Sequence, residues 1–199
     1  DIGDFRTFLK LSPPLRAEED RKSLVDAINK DLIDVIVSDH KPEDEESKRL
    51  TFSQAATGAS GIETLLPLAL EQYHNNSIKL FKIIELLTSN PAKILKINKG
   101  NLTIGNDADF CVVDINKPWI VKKENLVSKS KNTSIEDKKM QGKVLSTFVK
   151  GEELYKTKIP RNIRLAEAPS HGMSILQYDG LSKGSLSYYS LAGEIIKDE

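Results

Sequence analysis

The sequence predicts an α/β protein whose second half is a small β-layer and whose end is a short strand–helix tail. Three observations lead there. Residues 5–11 alternate apolar and polar side chains, and an amphipathic stretch of helix length follows them. The β-branched run Val35-Ile36-Val37 then stops abruptly in Ser38-Asp39-His40-Lys41-Pro42. Beyond residue 99, two further apolar strand patterns flank a long polar loop. Strand, helix and strand in that order, with a helix-length crossover, imply parallel pairing in a right-handed βαβ unit.

Composition narrows the function classes. Hydrophobic residues at 39% and charged residues at 29% describe a globular chain. With 29 basic and 29 acidic residues the net charge is zero, so no overall field favours nucleic acid or a membrane surface. Cys111 is the only cysteine, which excludes an internal disulfide and fits a reducing, cytoplasmic setting. No apolar run has transmembrane length. The chain opens on Asp1-Ile2-Gly3-Asp4 without Met, which leads to the expectation that it begins inside a longer protein.

Each element has its own signal. The 5–11 strand is stopped by Ser12-Pro13-Pro14. A helix is expected over 17–30, with Glu18, Glu19 and Asp20 at the positive end of its dipole and Leu24, Val25, Ile28 and Leu32 on one face. The Val35 strand ends at Lys41-Pro42 because the residue before proline is restricted and proline has no N–H to donate. Residues 43–49 read as a solvated acidic loop. Thr57-Gly58-Ala59-Ser60-Gly61 is a small-residue loop where backbone can approach a ligand. Ser60-Gly61-Ile62-Glu63 has capping-box spacing and opens a helix to about residue 73, with Pro67 expected to kink or break it. Helices over 78–88 and 91–96 follow, the second with Asn90 as cap and Pro91 at its first position. Buried strands are expected at 108–115 and 144–149, with a polar loop over 122–139 between them. The tail is read as a strand at 174–178, a turn at Asp179-Gly180 and a helix over 184–196.

Chemistry is expected where the Val35 strand ends, since parallel α/β folds place it at strand ends. Asp39 can ligate a metal or act as a general base there; equally, it can cap the next turn or pair with Lys41. His40 points the other way along a strand, so the two do not share one ion. His74 and His171 read as packing or surface residues. No His-x-His, His-Glu-x-x-His or cysteine pair exists, so a complete zinc site cannot be written from this chain. A glycine-rich phosphate loop is absent too.

Several stretches carry a resemblance. Phe8 to Arg16 (Phe-Leu-Lys-Leu-Ser-Pro-Pro-Leu-Arg), Asp34 to His40, Gly58 with Gly61-Ile62-Glu63-Thr64, and Thr88 to Ala92 closely resemble the C-terminal part of dihydroorotases. Gly100-Asn101-Leu102 with Gly105, Ala108-Asp109 and Ser130-Lys131-Asn132-Thr133 do so as well. The agreement runs in order over residues 1 to about 156. It implies the last two βα units of a (β/α)8 metal-dependent hydrolase barrel, with the Phe5 and Val35 strands as the seventh and eighth, and a β-layer built from both chain ends. The implied reaction is hydrolysis and formation of the cyclic amide of dihydroorotate, interconverting it with carbamoyl aspartate at a zinc centre. Asp39 then matches the family's strand-eight aspartate, which touches the metal and moves the proton between attacking water and leaving nitrogen. Ser12, Glu43 and Gly58 fall at substrate-binding positions.

Three departures accompany the match. Ser12 stands where the family usually has Asn, Lys41-Pro42-Glu43 replaces Ala-Pro-His, and Ala56-Thr57-Gly58 replaces Pro-Phe-Gly. They fit a divergent enzyme and equally a non-catalytic paralogue that partners aspartate carbamoyltransferase. In the family the other metal ligands lie on strands one to six, so this chain alone is expected neither to hold zinc nor to hydrolyse dihydroorotate. From about residue 158, Ile159-Pro160-Arg161-Asn162-Ile163-Arg164-Leu165 to Gly172 resembles the C-terminal end of ParA-type chromosome-partitioning ATPases. That likeness places Pro160 and Asn162 near a nucleotide and gives Arg164 a DNA-contacting role, and it offers a third reading, the remnant of a DNA-partitioning ATPase. The tail by itself is expected not to bind DNA, since non-specific affinity needs several phosphate contacts together. The expected division is therefore barrel at 1–98, β-layer at 99–156 and ParA-like tail at 157–199.

Overall fold

The computed structural model describes residue 3 and residues 5–197. They form two compact units, residues 1–150 and 151–199.

Residues 5–11 do not form a strand: Thr7–Leu9 is a single 3-10 turn, and Phe5 takes a positive φ of 56°. Residues 32–44 likewise carry no strand pairing. Apolar alternation selects a strand only if a neighbour takes its N–H and C=O groups. Among the described residues no such neighbour runs beside either segment. Their backbone groups go elsewhere: Ile36 N–H donates to Leu86 O (3.2 Å), Lys41 N–H to Ala59 O (3.0 Å), and Lys10 O accepts from Gly58 N–H (3.1 Å). The expected parallel pairing is therefore not formed, and the sheet of this unit is antiparallel.

The helices follow their sequence signals more closely. Helix α1 spans Glu18–Asn29, and its first-turn acids lie as expected; Asp20 reaches back to Ala17 N–H (3.1 Å). Its inward face is narrower than the spacing implied. Ile28 is buried and Val25 packs beside it, whereas Leu24 and Leu32 are exposed. The acidic loop contains a short helix, α2 (Glu45–Lys48), whose first turn is capped by Asp44 accepting from Ser47 N–H (2.7 Å). This stretch is not wholly solvated, because Lys48 is fully buried.

Helix α3 spans Leu65–His74. Its capping box is not formed: Glu63 instead accepts from Val127 and Ser128 N–H (2.9 and 3.0 Å). Pro67 causes no break because it sits in the first turn, where N–H groups have no helical partner to lose. Helices α4 (Leu80–Leu87) and α5 (Ser89–Ile94) follow. Asn90 is inside α5 rather than its cap and donates to Asp34 O (3.0 Å). Ile28, Ala69, Ile78, Ile83 and Leu86 form the core between α1, α3 and α4, with Ile36 and Tyr73 against it.

The β-layer is built on an antiparallel ribbon of β1 (Phe110–Ile120) and β2 (Lys139–Val149), both longer than expected. Phe110 pairs with Phe148, their rings stacked at 4.5 Å. The first strand is less buried than its apolar run implied, with Cys111 and Val112 exposed. Register shifts interrupt the ladder at two places. Beside the second lies Gly142, with a φ of +99° and an O that accepts from Trp119 Nε1–H (3.0 Å). A Cβ there would come within 2.4 Å of Leu70 Cδ1, so glycine permits α3 to lie close on the ribbon.

The second unit opens with β3 (Glu152–Glu153) and continues through α6 (Ile163–Glu167), α7 (Ile175–Tyr178) and α8 (Lys183–Lys197). The expected strand at 174–178 is helix α7. Ser174 and Gln177 form a capping box there, and that local pattern sets a helical start. Among the described residues no helix is long and apolar enough to cross a membrane.

Gly142→Ala is expected to destabilise the first unit by about 1–3 kcal/mol through overpacking and a strained φ. Urea unfolding followed by the fluorescence of Trp119, the chain's one tryptophan, measures it.

Candidate functional site

Three of the four residues expected to contact substrate or metal line one cleft. It has a volume of about 470 Å³ and lies in the first unit. Ser12 enters it from the Pro-Pro segment, Asp39 from the end of the Val35 run and Gly58 from the small-residue loop. Leu11, Ile36, Leu65 and Leu68 provide apolar wall, and among the described residues Asp39 is the only ionisable side chain on it.

The backbone explains how Asp39 arrives there. Its φ is 42°, a left-handed conformation that Asp tolerates better than most residues. The neighbours on both sides are fastened. His40 Nδ1 accepts from Gly61 N–H (3.1 Å) and Ile62 N–H (3.3 Å), and Lys41 N–H donates to Ala59 O (3.0 Å). His40 is therefore a clamp on the small-residue loop. Asp39 makes neither of the structural contacts open to it from the sequence. Lys41 pairs with Glu43 (3.6 Å), and among the described residues the Asp39 carboxylate has no hydrogen-bond or ion-pair partner.

Glu43 does not join the cleft. Its N–H donates to Asn132 Oδ1 (3.1 Å), its carbonyl accepts from the Ser130 hydroxyl, and its carboxylate faces Lys41. The acid that replaces the family's histidine thus does not line the same wall as Asp39. The glycines of the small-residue loop approach the chain itself. A Cβ on Gly58 would lie 2.6 Å from Lys41 O, and one on Gly61 would lie 2.7 Å from Ser38 O.

Two residues central to this geometry were not singled out from the sequence. Lys48 Nζ donates to Lys10 O (3.1 Å), Ala56 O (2.9 Å) and Gly58 O (2.9 Å). Burial pushes its ammonium below the ordinary lysine value, while the charge of Glu43 acts in the opposite sense. Asn132, also buried, donates to Gly58 O (3.3 Å) and accepts from Glu43 N–H and the Ser60 hydroxyl (3.3 Å), while its own carbonyl accepts from Ser60 N–H (2.9 Å). The available signals were a lysine closing an acidic helical turn and an asparagine in the Ser-Lys-Asn-Thr stretch.

The zinc that the dihydroorotase resemblance implies does not fit the residues present. Among the described residues no three His, Cys, Asp or Glu side chains gather as a metal-holding group. A catalytic zinc needs about three protein ligands, and this cleft offers one carboxylate. No chemical step is therefore derived through a metal here.

In the second unit, Asn162 caps α6 by accepting from Arg164 N–H (2.8 Å) and Leu165 N–H (3.4 Å). Arg164 is engaged by Glu167 (3.0 Å) and Asp179 (3.6 Å), and Pro160 is exposed. Glu167 holds the Arg164 guanidinium further into its charged form. Asn162 and Arg164, expected to meet nucleotide and DNA, are thus occupied in capping and local ion pairs.

Residues 11–154 match the model of the amidohydrolase family. Dihydroorotase of Ehrlichia chaffeensis is 39% identical over 159 residues, covering 80% of this chain and 36% of that enzyme. Dihydroorotase of a Wolbachia strain from Drosophila simulans is 42% identical over 149 residues, covering 75% of this chain and 34% of that enzyme. Among solved structures, the L-hydantoinase (dihydropyrimidinase) of Arthrobacter aurescens superposes with a TM-score of 0.68 at 30% identity, over 74% of this chain and 34% of that one. The chain thus spans about a third of the length of the relatives it matches. The α/β class stands with these neighbours, and they lend no support to the ParA-type likeness of the tail.

Asn132→Leu is expected to cost about 1–3 kcal/mol, because Glu43 N–H and the Ser60 hydroxyl lose a buried acceptor. The unfolding midpoint of the variant in urea, read by Trp119 fluorescence, measures that loss.

Proposed function

Because the chain belongs to the amidohydrolase family, we propose that it supplies the C-terminal share of a dihydroorotase-like cyclic-amide hydrolase. Asp39 is its proton-moving carboxylate in this reading, and residues 1–98 correspond to the last two βα units of the barrel. One observation carries it: among the described residues Asp39 has no partner, and it lines a cleft with Ser12 and Gly58. A carboxylate fixed in backbone position but without a partner is free to exchange a proton with a reacting group.

The chemistry needs little of this chain. Water adds to the carbonyl carbon of the ring amide, and its proton passes to the Asp39 carboxylate. As the carbon–nitrogen bond breaks, that proton passes to the leaving nitrogen, and the ring opens to a carboxylic acid. Ser12 and the backbone around Gly58 hold the ring beside the carboxylate. Zinc, where the resemblance places it, requires ligands beyond the one carboxylate in this cleft. No observation separately favours a non-catalytic partner of aspartate carbamoyltransferase or a DNA-partitioning remnant.

Two assays test the reading. The purified chain with added zinc is expected to give no dihydroorotate turnover above a metal-only blank. Replacing the matching C-terminal third of the Ehrlichia chaffeensis enzyme by residues 1–156 is expected to give an active chimera. Asp39→Asn in that chimera should lower kcat by about 10²–10⁴-fold. A folded, zinc-loaded chimera without turnover overturns the proposal and favours the non-catalytic reading.

A further inference from the structure

Beyond the cleft's own side chains, we infer that Lys48 is its positioning residue: one buried ammonium sets the spacing of the segments that deliver Ser12, Gly58 and Asp39. This rests on the proposed site for calling those residues functional.

The three segments lie far apart in sequence, and no strand pairing joins them. Lys48 bonds Lys10 O, two residues before Ser12, together with Ala56 O and Gly58 O on the small-residue loop. An ammonium has three donors, so these acceptors saturate it. Gly58 N–H donates to the same Lys10 O, which closes a small ring of hydrogen bonds around the lysine. From that loop the geometry is passed to Asp39. Ala59 O takes Lys41 N–H, and Gly61 and Ile62 N–H hold His40, the residue next to Asp39.

Charge and packing show that the position is specific. Lys48 is completely buried, yet no carboxylate bonds it, so its partners are backbone dipoles. A group so placed is retained at a desolvation cost that ordinary packing does not require. Lys10 reinforces the same junction from the other side, its Nζ reaching Ala55 O (2.7 Å) and Ser53 O (3.0 Å).

Lys48→Met, Lys48→Arg and the core variant Leu86→Ala in the 199-residue chain test this by amide hydrogen exchange. Lys48→Met is expected to speed exchange at Gly58, Lys41 and Gly61 by about 10-fold or more, with less than about 2-fold change at Ile83 in α4. It should also shift the Asp39 carboxyl-carbon resonance at fixed pH, and Lys48→Arg should restore both readouts at least in part. Leu86→Ala should instead speed Ile83 and leave the Asp39 resonance in place. The inference is overturned if Lys48→Met leaves the cleft amides and the Asp39 resonance unchanged, or if it speeds α4 as much as the cleft. None of these readouts involves turnover, so their failure is separate from failure of the Asp39 reading.

Discussion

A lysine ammonium taken out of water must find an acceptor for each of its N–H bonds, and Lys48 finds three in the carbonyls of Lys10, Ala56 and Gly58. The first half of the molecule depends on this contact. The segments at 5–11 and 33–40 have no strand partners, so no sheet ladder sets their separation. Side-chain donors do so instead, with Lys48 and Asn132 converging on the single carbonyl of Gly58. A carbonyl oxygen has two lone pairs, and here both are used. The consequence is a cleft with defined walls in a region poor in regular structure.

The same constraint accounts for the small residues of the loop. Gly58 and Gly61 lie so close to Lys41 O and Ser38 O that a side chain at either would collide with backbone. Their smallness serves the seating of the loop on the Val35 segment, and that seating in turn carries Asp39 to the cleft. Glu43 belongs to this framework rather than to the wall. Held by Asn132 and facing Lys41, it is the acid whose charge favours the protonated form of Lys48. At this position the acid therefore serves an internal electrostatic role.

Local signals were legible wherever the interaction they describe is itself local. The first-turn acids of α1, the apolar character of α4 and the length of α8 are read directly from spacing, since helical hydrogen bonds form within the segment. The strands at 5–11 and 35–37 were not obtained, because alternation describes one half of a pairing whose other half is absent from the described residues. The strand expected at 174–178 failed differently. The five residues 174–178 are weak evidence for a strand against Ser174 and Gln177 in a reciprocal cap. Asp39, Ser12 and Gly58 were named from motif resemblance and do meet in one cleft. Lys48 was not named, and Asn132 entered only within a matching stretch and without a role, since their bonds reach 38 residues back to Lys10 and 74 residues back to Gly58.

By itself the sequence determined the family, the balanced charge, the helical segments and the acid at position 39. The helices and the acid are properties of residue order over short windows, and charge and family of the chain's overall composition and its order over residues 11–154. Only the tertiary structure decided that Lys41 takes Glu43 and leaves Asp39 unpaired, and that Arg164 is bound to Glu167 and Asp179. It also decided that a lysine in an acidic stretch is buried and holds the cleft. The reason is physical: which polar group meets which is settled by the approach of distant segments, and a side chain's partners are not encoded in its immediate neighbours.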